Sequence, residues 1–258
     1  SAPATPAGVT TRMLTPTLRL YEPKDCGNKK LPLLIYLHGG GWTFGSLNSC
    51  ARFCNAMAES GRLKVLAVDY RLAPEHPFPA GLEDCVKAVG FAWADADKLG
   101  VDRGKISVGG DSSGGNLAIA TSLSDSCAGK IESLVLFYPV TKAYDDGSSS
   151  WNRYGSGFGL DTELMCEFNH AYVAGAAPLD KRISVGDCGD DMLGRLPRAL
   201  LIAAGRDILR DQGEEFARKA GKRLTRIEFP GAVHLFITVP GQDKAFSTAV
   251  ELASDFLR

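Results

Sequence analysis

No apolar run in this chain approaches the roughly 18–20 residues that a membrane-spanning helix needs. The longest, such as 33–37 and 199–204, have the length of strands. There is no Lys/Arg tract, and the net charge is −1, so nothing favours nucleic acid or an anionic membrane surface as a partner. There is no C-x-x-C pair. The seven cysteines are odd in number, and Cys50 and Cys54, four positions apart, have no matching His or Cys pair to complete a zinc site. This pattern fits reduced, mostly structural thiols in a reducing compartment such as the cytoplasm, with a Cys50–Cys54 disulfide as the weaker alternative. The start at Ser1 rather than Met also fits a terminus left by signal cleavage, so secretion stays open. No internal repeat and no linker divides the sequence.

What is present suits one globular unit. The 258 residues are 45% hydrophobic and 23% charged, enough for a substantial core without metals or disulfides, and residues 1–258 read as a single α/β domain. Strand-like segments at 33–37, 65–69, 106–109, 134–138, 200–204 and 226–229 alternate with helix-like ones at 48–60, 82–98, 114–126, 161–174, 213–220 and 242–257. Such alternation predicts a mostly parallel central sheet with helices on both faces. In the second of these helices Val86, Val89, Ala92 and Trp93 form an apolar stripe at helical spacing. Residues 14–20 suggest an additional edge strand. Residues 141–159 are rich in Gly, Ser, Asp and aromatics and read as a loose loop at the carboxyl end of a strand, where functional loops of α/β sheets lie.

The chemistry starts at residues 110–115, Gly-Asp-Ser-Ser-Gly-Gly, between a short apolar run and a helix-like stretch. A sharp strand–turn–helix elbow needs Gly two residues to either side of the serine it projects. Ser112 has Gly110 and Gly114 there, whereas Ser113 would need Gly at 111 and meets Asp111. Ser112 is therefore the candidate nucleophile for acyl-ester hydrolysis. Alone, this hexapeptide fits an ordinary Gly/Ser turn opening a helix almost as well. A serine hydroxyl also needs a base, the base an orienting carboxylate, and the reaction donors for an oxyanion.

Only four histidines exist, and His234 follows the last strand-like segment near the C-terminus, where the chain order Ser…Asp…His places the base. Asp207, in the turn after 200–204, is the candidate acid, with Asp211 as fallback and local support. The run His38-Gly39-Gly40-Gly41-Trp42 directly follows the strand at 33–37. Successive glycines let backbone amides approach a substrate, so Gly40, Gly41 and the residue after the nucleophile, Ser113, are the candidate oxyanion donors. A phosphate-cradling loop is the rival, but no G-K-[ST] and no dinucleotide fingerprint follows. His38 suits a structural hydrogen bond of this loop better than the role of base.

Together, His38–Trp42, the segment Asp69-Tyr70-Arg71-Leu72-Ala73-Pro74-Glu75-His76-Pro77-Phe78-Pro79-Ala80, the Gly110-Asp111-Ser112-Ser113-Gly114-Gly115-Asn116 elbow, Asp207-Ile208-Leu209-Arg210-Asp211 and His234 resemble the hormone-sensitive-lipase-like esterases from about residue 30 onward. The resemblance implies an α/β-hydrolase fold and a carboxylesterase that needs no cofactor and no metal. It also implies that the segment with Pro74, Pro77 and Pro79 is a rigid loop beside the active site. Members of that family usually carry a longer N-terminal cap region, whereas 37 residues precede His38 here. The expectation is a reduced cap, with a lid supplied mainly by residues 141–175, and a pocket that is open or closed by the partner of a homodimer.

The expected substrates are small-molecule esters of short acyl chains, acetyl to butyryl, acetylated sugars among them. Trp42, Trp151 and Tyr154 are candidates to stack on a sugar ring, although ordinary packing would equally explain them. Two alternatives remain. An amidase or formamidase of the same fold would carry the same Ser, Asp and His. A non-catalytic small-molecule receptor, such as the plant gibberellin receptors that resemble this family, would lack the histidine that His234 supplies.

Overall fold

Each central strand divides its side chains between two cores. The computed structural model describes residues 5–27, 29–60 and 62–258. Among them run strands β1 (Val9–Thr15), β2 (Leu18–Pro23), β3 (Leu31–Leu37), β4 (Lys64–Val68), β5 (Val101–Asp111), β6 (Ser133–Phe137), β7 (Arg198–Arg206) and β8 (Leu224–Val233). In β3, Leu33, Ile35 and Leu37 enter one core while Leu34 and Tyr36 enter the other. β6 and β7 split the same way, with Leu134, Leu136, Leu201 and Ala203 on the first side and Val135, Phe137, Leu200 and Ile202 on the second. Successive Cβ atoms of a strand point to opposite faces, so a strand that reads as one apolar run must be covered twice.

The covering helices are α1 (Ala51–Glu59), α2 (Ala80–Ala94), α3 (Ser113–Leu123), α4 (Ser149–Arg153), α5 (Thr162–Val173), α6 (Asp190–Leu193), α7 (Arg210–Ala220) and α8 (Asp243–Phe256). Buried residues of α2, α3 and α7 join the first core, and those of α1 and α8 the second. In α8 the positions Phe246, Ala249, Val250 and Ala253 recur at helical spacing and turn one stripe to the sheet. Fully burying a Leu or Phe side chain is worth about 1.5–3 kcal/mol, so these two faces carry most of the fold's stability.

The strand order is β1-β2-β4-β3-β5-β6-β7-β8. β1 and β2 pair antiparallel, as do β2 and β4, and all pairs from β4 to β8 are parallel. This is the mostly parallel sheet flanked by helices that the alternation predicts. One consequence governs the rest of the molecule. The carboxyl ends of β3, β5, β7 and β8 lie at the same edge of the sheet and lead directly into His38, Ser112, Asp207 and His234. No helix among the described residues is long and apolar enough to cross a membrane.

Three local expectations need correction. Residues 14–20 are not one edge strand: they straddle the turn of the β1–β2 hairpin, in which Thr15 opposes Leu18. Pro16, which has no N–H to donate to a ladder, sits in that turn. The buried stripe of α2 is Leu82, Cys85, Ala88, Val89 and Ala92, with Val86 and Trp93 at its margins. The segment 141–159 is not loose throughout, because α4 forms inside it and buries Trp151.

Candidate active site

The elbow follows from sterics. A Cβ built on Gly114 would collide with the carbonyl oxygen of Leu37 at the end of β3. One on Gly110 would crowd Gly114 and Leu37. With both side chains missing, α3 starts directly over the end of β5, and Ser112 is driven to φ 53°, ψ −119°. A non-glycine residue there costs on the order of 1–3 kcal/mol, a strain usually kept where geometry serves a function. The backbone of Ser112 is held on both sides. Its N–H donates to Phe137 O at 2.9 Å, and its carbonyl accepts from Val140 at 3.1 Å.

The structure brings Ser112, His234 and Asp207 into one hydrogen-bonded chain. His234 Nδ1 lies 2.7 Å from Asp207 Oδ2, and its Nε2 lies 3.0 Å from Ser112 Oγ. A carboxylate can only accept, so the imidazole proton sits on Nδ1 and the lone pair of Nε2 faces the serine hydroxyl. The other carboxylate oxygen, Asp207 Oδ1, accepts from the Leu209 N–H at 3.0 Å. The His234 loop is clamped by Gln242, whose Oε1 accepts from the Val233 N–H at 2.9 Å, and the Tyr138 ring lies 4.4 Å from the imidazole. All three members are buried, with Ser112 5% exposed. Asp211 faces elsewhere: its carboxylate accepts from the Ser150 N–H at 2.8 Å and pairs with Arg210. Among the other histidines, His76 and His170 lie on the surface.

The amides of Gly40, Gly41 and Ser113 find no backbone or side-chain acceptor among the described residues. The Gly39 amide, by contrast, is occupied: it donates to Asp111 Oδ1 at 3.0 Å. His38 is buried, stacks on Tyr70 with ring centroids 4.4 Å apart, and places Nδ1 2.9 Å from Gly39 O. Burial holds its pKa below the ordinary histidine value. The proline-rich segment is tied to this loop, since the Ala73 N–H donates to Trp42 O at 2.8 Å, and to α5, since the Phe78 N–H donates to Tyr172 O at 2.9 Å.

Trp42, Trp151 and Tyr154 are 1%, 3% and 8% exposed, so none presents an open face. The Trp42 indole is stacked on Tyr172 instead, and Tyr154 packs edge-on against Phe158. Two further aromatics, which the sequence did not single out, border the glycine loop. The Phe168 ring of α5 lies where a Cβ of Gly41 would be, and the exposed Phe44 meets it edge-on at 5.9 Å. A Cβ built on Gly159 would come within 3.0 Å of the carbonyl oxygen of His234, so this backbone lies close to the histidine.

Asp111 is also missing from the sequence-derived site. The available signal was a charge ending the otherwise apolar and glycine-rich stretch of β5. A cavity of about 630 Å³ between the end of β8 and the start of α8 touches none of the three hydrogen-bonded residues. Among the described residues no group of three or more His, Cys, Asp or Glu is placed to hold a metal ion.

A parallel sheet whose strand ends deliver an elbow serine, an acid and a late histidine defines the α/β hydrolases. The sequence pattern of the alpha/beta hydrolase fold family matches residues 34–238, and the chain belongs to that family. It is 34% identical over 228 residues to an arylesterase of Saccharolobus solfataricus, an alignment covering 86% of this chain and 73% of the relative. It is 36% identical over 234 residues to an ethyl acetate hydrolase of Pseudomonas putida, covering 85% and 71%. Among solved structures, carboxyl esterase 2 of the mycorrhizal fungus Tuber melanosporum superposes with a TM-score of 0.89 at 29% identity, over 98% of this chain and 86% of that one. These relatives place the chain among the carboxylic-ester hydrolases of the hormone-sensitive-lipase-like group.

Proposed function

We propose that this protein hydrolyses short-chain acyl esters, acetyl to butyryl and acetylated sugars included, through an acyl-enzyme on Ser112. The observation that carries the reading is the Ser112–His234–Asp207 hydrogen-bonded chain, with the amides of Gly40, Gly41 and Ser113 donating to no acceptor among the described residues. Ser112 Oγ attacks the ester carbonyl carbon while His234 Nε2 takes its proton, and Asp207 holds the imidazole and balances its positive charge. The amides of Gly40, Gly41 and Ser113 donate to the oxyanion. The intermediate collapses, the C–O bond to the alcohol breaks, and His234 returns the proton to the leaving oxygen. Water then cleaves the acyl-enzyme by the same steps and regenerates the serine.

Residues 141–175 form the lid of this reading. Gly159 and Phe168 both belong to that segment, and they lie against His234 and Gly41 respectively. The preference for short chains is supported by the Phe168 ring against Gly41, which leaves little room beside the oxyanion donors, and by the relative named an ethyl acetate hydrolase. The test is turnover of a p-nitrophenyl ester series from acetate to palmitate, with Ser112→Ala as control. The reading expects a maximum at acetate or butyrate that the substitution abolishes. A Ser112→Ala protein with wild-type turnover would overturn it, and a maximum at palmitate would overturn the chain-length part. Matched amides in the same assay separate an amidase.

A further inference from the structure

We propose that Asp111 is a positioning residue, which ties the glycine loop to the nucleophile elbow so that the amides of Gly40 and Gly41 stand where the oxyanion forms. This rests on the reading that Ser112 attacks an ester. Asp111 ends β5 and immediately precedes Ser112, and the loop leaves the neighbouring strand β3, where Leu37 is in register with Gly110. Two separate strand ends must therefore be locked together if a nucleophile on one is to work with donors on the other.

The Asp111 side chain is the lock. It is 0% exposed, and its Oδ1 accepts two hydrogen bonds, from the Gly39 N–H at 3.0 Å and from the Tyr36 hydroxyl at 2.9 Å. The first bond removes Gly39 from the set of free amides and fixes the residue from which Gly40 and Gly41 project. The second anchors the carboxylate to β3 itself. Asp111 Oδ2 has no hydrogen-bond partner among the described residues and lies against Gly39, where a Cβ would meet it. Burial pushes the carboxyl's pKa up, against the donations of Tyr36 and Gly39.

A buried, half-satisfied carboxyl is expensive for a fold. An apolar residue would fill the same volume more cheaply, so simple core filling does not explain an acid there. What only an acceptor can do is hold the Gly39 amide. A small error in the placement of oxyanion donors costs turnover, because they act on charge that exists only in the transition state.

The experiment compares Asp111→Asn, which keeps an acceptor oxygen, with Asp111→Ala, which removes it. Each is measured as kcat and KM on p-nitrophenyl acetate, with circular dichroism to confirm folding. Positioning predicts that Asp111→Ala loses about 10- to 1,000-fold in kcat with KM within a few-fold of wild type. It predicts that Asp111→Asn restores most of that loss. The Ki of an aryl trifluoromethyl ketone, which forms a tetrahedral adduct on the serine, should rise across the variants in step with the fall in kcat/KM. Should Asp111→Ala fail to fold, Asp111→Ser, whose hydroxyl is too short to reach both donors, is expected to show the same split. The proposal is overturned if a folded variant without the acceptor keeps wild-type kcat, or if Asp111→Asn is as impaired as Asp111→Ala. Failure of the esterase reading looks different: wild type itself turns over no ester, or Ser112→Ala stays active.

Discussion

The imidazole Nε2 of His234 lies 3.0 Å from the hydroxyl of Ser112, across 122 positions of sequence. The two residues come from the ends of β8 and β5, which are not neighbours in the sheet; β6 and β7 lie between them. On the reading proposed above, removing either partner should lower kcat by on the order of 10⁴- to 10⁶-fold, and Asp207→Asn by about 10⁴-fold. Circular dichroism and ester turnover of the three variants check this. A folded His234→Ala protein with near-native turnover would remove the histidine from the mechanism.

Gly41 and Phe168 should behave as a coupled pair. Gly41 has φ 58°, and any side chain there meets the Phe168 ring. Gly41→Ala is expected to cost about 1–3 kcal/mol from crowding and backbone conformation together. In the Phe168→Ala background the crowding share disappears and only the backbone share remains. A double-mutant cycle on thermal unfolding measures the difference, and additive effects would show that the ring yields without cost.

Phe168→Ala by itself should widen the chain-length profile. The ring flanks the loop that carries two of the proposed oxyanion donors, so its loss opens apolar space beside the scissile carbonyl. The expected result is a gain on hexanoate and octanoate relative to acetate. Varying the acyl and the alcohol group separately tells which half of the ester the ring faces. An unchanged profile for both would remove Phe168 from specificity.

Stability should depend on acid through Glu22. Its carboxylate lies 2.8 Å from the Lys64 ammonium and 2.9 Å from the Arg12 guanidinium, with Lys64 almost fully buried. Burial alone would raise the Glu22 pKa, but Lys64 and Arg12 outweigh it and hold it below the ordinary glutamate value. A lowered folded-state pKa means that the unfolded chain binds the proton first. The contribution is therefore full above the ordinary glutamate pKa and is lost as pH falls through the folded value. Glu22→Gln is expected to cost about 1.5–3 kcal/mol at pH 7, because a buried ammonium loses its counter-charge. The gap between the two unfolding curves should close as pH falls. A gap independent of pH would show that the pair contributes through packing alone.

Particular residues show where the sequence was legible. The spacing of Gly110 and Gly114 selected Ser112 over Ser113, and the structure gives the reason in the close passage of the Leu37 carbonyl. His234 and Asp207 were reached from strand ends and chain order, and they meet each other at 2.7 Å. The aromatics were not legible, because an indole has the same composition in a core as in a pocket wall. Trp42, Trp151 and Tyr154 are buried, while Phe168 and Phe44 border the glycine loop. Residues 14–20 misled because Pro16 breaks an apolar pattern that otherwise reads as continuous.

The sequence by itself determined the alternation of elements, the elbow and the order of the serine, acid and histidine, since these depend on local sterics and on which residues end a strand. Only the tertiary structure decided that the Gly39 amide is taken by Asp111, that Asp211 turns to Ser150, and that α5 lays Phe168 on Gly41. Those contacts join segments far apart in the chain. Their geometry depends on sheet order, register and helix placement, which no local pattern of residues encodes.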